Sequence, residues 1–111
     1  MAYDQKLASR IEIILESSTF PNLHKKEMFG GIGYLLDGNM AFGIQQEKLI
    51  VRVGKDAYQK TLKQPFTSQF DLTGRPMRGW VYVESSGISD DDELLSWINQ
   101  GIDFASGLPP K

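Results

Sequence analysis

The chain has 111 residues, of which 41% are apolar and 23% are charged, which is typical of one globular domain and excludes the disordered and fibrous classes. It contains no cysteine, which excludes disulfides and thiolate metal sites and fits a reducing cytoplasm, and its formal net charge of −2 does not favour general polyanion binding. The N-terminus lacks a signal-peptide core and no apolar run approaches the ~20 residues of a membrane helix, so we expect one cytoplasmic domain over residues 1–111 with no membrane segment.

The first predicted element is an amphipathic helix from Asp4 to about Ser17. Its apolar residues recur at steps of three and four, namely Leu7, Ile11, Ile14 and Leu15. Asp4 is the expected N-cap, because its carboxylate suits the positive end of the helix dipole. Pro21 ends this segment, since proline pushes the preceding residue out of helical geometry.

Four strands with short connections are predicted next. They run over Lys25–Phe29, Ile32–Leu36, Met40–Gln45 and Lys48–Val53. Gly30–Gly31 and Asp37–Asn39 mark hairpin corners, because glycine and asparagine tolerate positive φ. The last of the four alternates apolar and polar residues, which indicates a strand with one buried face.

A short helix, Lys55–Lys63, and a loop, Gln64–Gly79, are predicted before a fifth strand at Trp80–Glu84. The clearest helix follows. Ser89 is its predicted N-cap, the acids that follow Ser89 lie at the positive end of the helix dipole, and Gly107 ends it. The apolar stripe of this helix is formed by Leu94, Leu95, Trp97, Ile98, Ile102 and Ala105.

The predicted order is therefore α-β-β-β-β-α-β-α. It indicates an α+β two-layer sandwich, with a mostly antiparallel five-stranded sheet and two long helices on one face. Strand alternation places Met40, Phe42 and Ile44 on the helix side. The other side carries Gly33, Leu35, Ala41, Gly43, Ile50, Arg52, Trp80 and Tyr82. That side is either open to a partner or covered by the short helix or the Gln64–Gly79 loop.

The glycine-rich stretch does not predict a nucleotide site. Gly31 and Gly33 match the start of a dinucleotide fingerprint, but position 36 is Leu36 and a hairpin follows where a helix is required. His24 is the only histidine, and the acids at 90–93 already serve a helix start. We therefore expect no cofactor, no metal site and no catalytic residue, which means that the chain is not predicted to be an enzyme.

Arginine and aromatic residues near the fifth strand are the strongest candidates for binding. Arginine binds carboxylate or phosphate through its planar fork. The candidate partner or anion contacts are Arg52, Arg75, Arg78, Trp80 and Tyr82. The alternative is that one of the loop arginines forms an internal ion pair with Asp71 or Glu84.

Charge is unevenly distributed along the chain. The Lys48–Arg78 segment has a net charge of +5, and residues 79–111 have a net charge of −5. The first interpretation is a pair of solvated faces that neutralise each other in the fold. Nucleic-acid binding through Lys48–Arg78 is the alternative, and it requires an affinity that falls steeply with salt. We do not expect direct nucleic-acid binding.

Four stretches resemble the N-terminal domain of the TfoX/Sxy family of competence regulators. They are KKEMFGGIGYLLDGNMAFGI from Lys25, LIVRVG from Leu49, GRPMRGWVYVE from Gly74 and DDDELLSWINQGIDFASGLPPK from Asp90, and the opening MAYDQKLASRI also fits. The matching motif residues, of mainly structural character, are Met28, Phe29, Gly30, Gly31, Gly38, Gly74 and Met77, together with Arg52 and Trp80.

The resemblance implies a two-layer domain with a role in transcriptional control, acting together with other regulators. The family's full-length regulators carry a second, helical domain, whereas this sequence ends at Lys111 and resembles the single-domain members. The first functional hypothesis is a non-enzymatic regulatory or protein-interaction domain, with a transcription regulator or a second copy of the chain as its partner. The second hypothesis is a domain that binds a small ligand or anion on an Arg- and Trp-lined sheet face.

Overall fold

The computed structural model describes residues 3–16, 22–27, 30–71, 74 and 76–110, together with the backbone of Met28. The helices of this described part are α1 (Gln5–Glu16), α2 (Lys55–Leu62) and α3 (Asp91–Ser106). The strands are β1 (Leu23–Met28), β2 (Gly31–Leu36), β3 (Asn39–Gln45), β4 (Lys48–Arg52), β5 (Thr67–Gln69) and β6 (Trp80–Val83). Within the described residues, no helix has the length and hydropathy needed to span a bilayer.

The strands form one sheet in the order β1-β2-β3-β4-β6-β5, and every neighbouring pair is antiparallel. Side chains from all three helices join one core with the same face of the sheet. We call this the helix face; its strand residues are Ile32, Tyr34, Phe42, Ile44, Leu49, Val51, Val81 and Val83. The predicted α+β class is confirmed, and α2 joins the two long helices on that face.

Local chemistry explains where the first helix and the central hairpin form. The Asp4 carboxylate accepts a hydrogen bond of 2.8 Å from the Lys6 backbone N–H, as predicted for an N-cap. Asp37 and Gly38 have φ of 52° and 84°, the pair of left-handed conformations that a two-residue hairpin of this twist needs. In the core, the rings of Tyr34 and Phe42 stack with centroids 4.6 Å apart.

The predicted count of five strands is wrong, because the Gln64–Gly79 segment contains β5. Thr67–Gln69 pairs with β6 and forms the sheet edge, so the order is α-β-β-β-β-α-β-β-α. These three residues are polar and too few to show a period of two. Only the long-range pairing with β6 identifies them as a strand.

The prediction that Met40 lies on the helix face is also wrong. The β2–β3 register shifts after Tyr34, which pairs with Phe42, while Leu35 pairs with Met40. The extra residue is Ala41, so a β-bulge reverses the side on which Met40 lies and places Ala41 in the core. A bulge of this kind leaves no mark on the hydrophobic alternation.

The second face of the sheet, which we call the outer face, is partly covered. Phe70, which follows β5, lies 5.0 Å from the Tyr82 ring and 6.1 Å from the Trp80 ring. Phe70 is only 3% exposed and Ile50 is fully buried. Coverage by the Gln64–Gly79 segment, which the sequence left as an alternative, is therefore what the structure shows over β4 and β6.

The N-cap of α3 is Asp90 and not the predicted Ser89. The Asp90 carboxylate accepts from the Asp92 N–H at 2.8 Å, whereas the Ser89 hydroxyl lies 3.4 Å from the Ser86 carbonyl oxygen. A 3-10 turn, Ser85–Gly87, precedes this cap and sets the start of the helix one residue later than the pattern indicates.

Candidate functional site

A cavity of about 480 Å³ lies at one end of the sheet, where β4 passes into α2 and β6 begins. The C-terminal half of α3 closes its side through Phe104. We call this cavity the Arg52 pocket. Its lining residues are Arg52, Val53, Gly54, Lys55, Asp56, Ala57, Arg78, Gly79, Trp80 and Phe104.

Two glycines hold the β4–α2 junction against the start of β6. The backbone N–H groups of Val53 and Gly54 both donate to the Gly79 carbonyl oxygen, at 2.7 and 3.1 Å. Gly54 and Gly79 have φ of 87° and 94°, which side-chain-bearing residues rarely adopt. A Cβ added at Gly54 would lie 2.7 Å from Cδ1 of Phe104, which is too close. The absence of a side chain at Gly54 therefore leaves room for the Phe104 ring.

Arg52 is held against two aromatic rings at the pocket. Its guanidinium carbon lies 4.9 Å from the Trp80 ring centroid and 5.4 Å from that of Phe104. Its Nη1 donates to the Met40 carbonyl oxygen at 3.4 Å, a long hydrogen bond. Its other N–H groups have no hydrogen-bond partner among the described residues. Burial lowers the pKa of Arg52, because desolvation disfavours the charged form.

The pocket carries an excess of positive charge. Arg52, Lys55 and Arg78 stand against the single carboxylate of Asp56. Among the described residues, neither arginine forms an ion pair; Glu84, one of the alternative internal partners, lies 3.8 Å from the Lys48 ammonium instead. The positive charge of Arg52 and Arg78 is therefore not neutralised by a direct ion pair within the described chain.

Tyr82 lies on the outer face, away from the pocket. Its hydroxyl donates to the side-chain oxygen of Gln45, and the Lys48 ammonium lies 5.0 Å from its ring centroid. Burial, and to a smaller degree the carboxylate of Asp71, raises the pKa of Tyr82. The structure thus gathers Arg52, Arg78 and Trp80 around one cavity and leaves Tyr82 in a neighbouring aromatic cluster.

The remaining predicted residues have different locations. Arg75 and Phe29 lie outside the described residues, and Met28 ends β1. Gly30, Gly38 and Gly74 all have positive φ, Gly31 approaches the Ile44 backbone, and Met77 donates its N–H to the Phe70 carbonyl oxygen. Of the positions that the structure describes, Gly30, Gly31, Gly38, Gly74 and Met77 do not line the Arg52 pocket.

The sequence did not indicate Phe104 or the first turn of α2 as parts of a site. Phe104 is the large apolar residue of α3 that falls outside the predicted stripe, and an aromatic residue off the buried stripe was the available signal. Lys55, Asp56 and Ala57 form the beginning of a helix whose N-cap, Gly54, supplies no side-chain hydrogen bond. Their backbone N–H groups add positive partial charge beside the pocket.

In the described part of the chain, no group of three or more histidine or acidic side chains is arranged to hold a metal ion. A search of the curated proteins and a search of the solved structures each gave no match. The family model of the TfoX N-terminal domain matches residues 16–105, which is most of the chain. The protein therefore belongs to the TfoX N-terminal domain family.

Proposed function

We propose that the chain is a non-enzymatic regulatory domain that acts by binding a protein partner through the outer face of its sheet. Membership of the TfoX N-terminal domain family supports a regulatory role. The observation that carries the proposal is the composition of the outer face. It combines Arg52, Trp80 and Tyr82 with a shallow area at the β2–β3 hairpin, and arginine and large aromatic residues dominate binding at protein interfaces.

The shallow area is formed by Gly33, Leu35, Met40 and Gly43, which share the outer face. All three helices pack on the opposite face, so within the described chain no helix covers this area. The two glycines are buried and paired across β2 and β3, so the accessible part of the area comes from Leu35 and Met40, which are half-buried. These two partly exposed apolar side chains are the part of the area that a partner would bury.

A capture experiment from the native cell tests the proposal with two matched variants. Leu35→Arg places a charge on the shallow area, and Ile13→Arg places the same charge on α1, where Ile13 is 65% exposed. We expect Leu35→Arg to lose the captured partner and Ile13→Arg to retain it, with unchanged thermal melting in both. Equal retention or equal loss in the two variants would contradict the proposal.

Light scattering on the purified chain identifies whether the partner is a second copy. A dimer that Leu35→Arg converts to a monomer assigns the outer face to self-association. A monomer in both forms assigns it to a different protein. In either case, the proposal requires that binding of the partner is lost in Leu35→Arg and retained in Ile13→Arg.

A further inference from the structure

The Arg52 pocket has the dimensions and the lining of a small-molecule site. It shares Arg52 and Trp80 with the outer face, but none of the four residues of the shallow area lines it. Its volume of about 480 Å³ falls within the range of ligand cavities. Two aromatic rings, Trp80 and Phe104, line it together with the side chains of Val53 and Ala57. A ligand with a flat apolar body would bury that body against the two rings.

The net positive charge of the pocket favours a negatively charged ligand. Three cationic side chains and one carboxylate leave a net charge of +2 at the cavity. The three ion pairs found among the described residues lie elsewhere, at Arg10–Asp91, Lys25–Glu12 and Lys48–Glu84. An anion in the cavity would therefore meet two guanidinium groups that have no carboxylate partner in the described chain.

Arg52 is placed to provide direction as well as charge. The rings of Trp80 and Phe104 lie within 5.4 Å of its guanidinium carbon and restrict its motion. A guanidinium donates its hydrogen bonds in its own plane, and a carboxylate or phosphate accepts two of them side by side. Because Arg52 has already lost part of its hydration, an anion would restore hydrogen bonds that burial removed.

The backbone around the cavity is fixed before any ligand arrives. Gly79 is buried and its carbonyl oxygen binds the N–H groups of both Val53 and Gly54. The positive φ of Gly54 and the contact of Phe104 with this residue leave the junction no room for a side chain. A site with a fixed backbone loses less conformational entropy on binding.

We propose that the Arg52 pocket binds a small organic anion, with its carboxylate or phosphate held by Arg52 and Arg78 and its planar body packed against Trp80 and Phe104. This inference goes beyond the protein-interaction function and does not depend on it. It assigns three of the seven basic residues of Lys48–Arg78, namely Arg52, Lys55 and Arg78, to a concave site for a small ligand.

Titration of the purified chain, followed by NMR of the indole N–H signals, tests the proposal without any partner. The chain has two tryptophans, and Trp97, which packs in the core at 9% exposure, is an internal control. The probes are benzoate, phenyl phosphate and the neutral benzamide. We expect benzoate or phenyl phosphate to shift the Trp80 signal in a saturable manner, with the Trp97 signal unchanged. The tighter of the two anions identifies the natural head group as carboxylate or phosphate.

Variants separate a specific site from general attraction of anions. Arg52→Gln and Arg78→Gln should each weaken anion binding about tenfold, because each removes charge-assisted hydrogen bonds. Arg78 is exposed, so its replacement leaves the core intact. Lys60→Gln removes an exposed charge of α2 outside the pocket and should leave the affinity unchanged.

Three results would overturn the inference. The first is the absence of a Trp80 shift with both anions. The second is equal binding of benzamide, which would mean that the cations play no part. The third is an equal loss of affinity in Lys60→Gln and Arg78→Gln, which would reduce the site to a diffuse positive field.

Discussion

Replacing Gly101 in the middle of α3 by alanine sets helix propensity against packing. Alanine is the better helix former by about 1 kcal/mol, so the sequence alone predicts a more stable protein. In the fold, however, α3 crosses the bulge of β3 at this residue. A Cβ added at Gly101 would collide with the Ala41 carbonyl oxygen and lie 3.1 Å from the Ala41 carbonyl carbon.

The structure therefore predicts that Gly101→Ala destabilises the protein. Overpacking against a well-packed core costs about 1–3 kcal/mol. We expect the upper part of that range, about 2–3 kcal/mol, because the obstacle here is backbone, which cannot rotate away as a side chain can. After the gain in helix propensity, we expect a net loss of about 1–2 kcal/mol. For a domain of this size, this corresponds to a fall of roughly 4–8 °C in Tm.

Urea denaturation followed by circular dichroism measures this change, with Gly107→Ala as the matched control. Gly107 has φ of −83°, and a Cβ there would lie 3.5 Å from the Phe104 carbonyl oxygen, an ordinary contact. Its replacement should be neutral or should stabilise by about 0.4–1 kcal/mol, because alanine restricts the unfolded chain. If Gly101→Ala proved as stable as the parent protein, the close contact between α3 and the bulge would be refuted.

Three further predictions concern the cap, the outer face and a buried tyrosine. Asp90→Ala should lower the free energy of unfolding by about 1 kcal/mol in urea denaturation, and Ser89→Ala should have little effect. A larger loss in Ser89→Ala than in Asp90→Ala would identify Ser89 as the N-cap and contradict the structure. Phe70→Ala should cost about 3 kcal/mol by the same assay, because it exposes the buried outer face, and a loss below ~1 kcal/mol would mean that Phe70 covers little. Burial, and also the Glu12 carboxylate, raises the pKa of Tyr34 above its ordinary value of 10.0. Above that pH the unfolded chain releases a proton that the folded chain keeps, so stability should fall by up to about 1.4 kcal/mol per pH unit. In Tyr34→Phe, the urea midpoint should fall less steeply as the pH rises through this range. An unchanged dependence of the midpoint on pH in that variant would contradict the assignment to Tyr34.

Part of the candidate site was accessible from the sequence. Arginine and tryptophan in and beside a strand suit anion or partner binding, and this predicts Arg52, Arg78 and Trp80 as contacts. The structure places all three at one cavity. The same pattern predicts Tyr82 as a contact, but Tyr82 lies in the neighbouring cluster with Phe70. Phe104 could not be assigned to the site from the sequence, because it lies 50 positions after Gly54 and 24 after Trp80. Only the packing of α3 against β4 brings these residues together.

The sequence by itself determined the helices, four hairpin-linked strands and their corners, because these depend on neighbouring residues through apolar period, capping and the φ preferences of Asp37 and Gly38. The tertiary structure decided the rest. The short strand β5 exists only through its pairing with β6, and Met40 changes face because of a bulge beside Ala41. The pocket forms where distant segments meet, and such contacts depend on how whole elements pack and not on any local pattern.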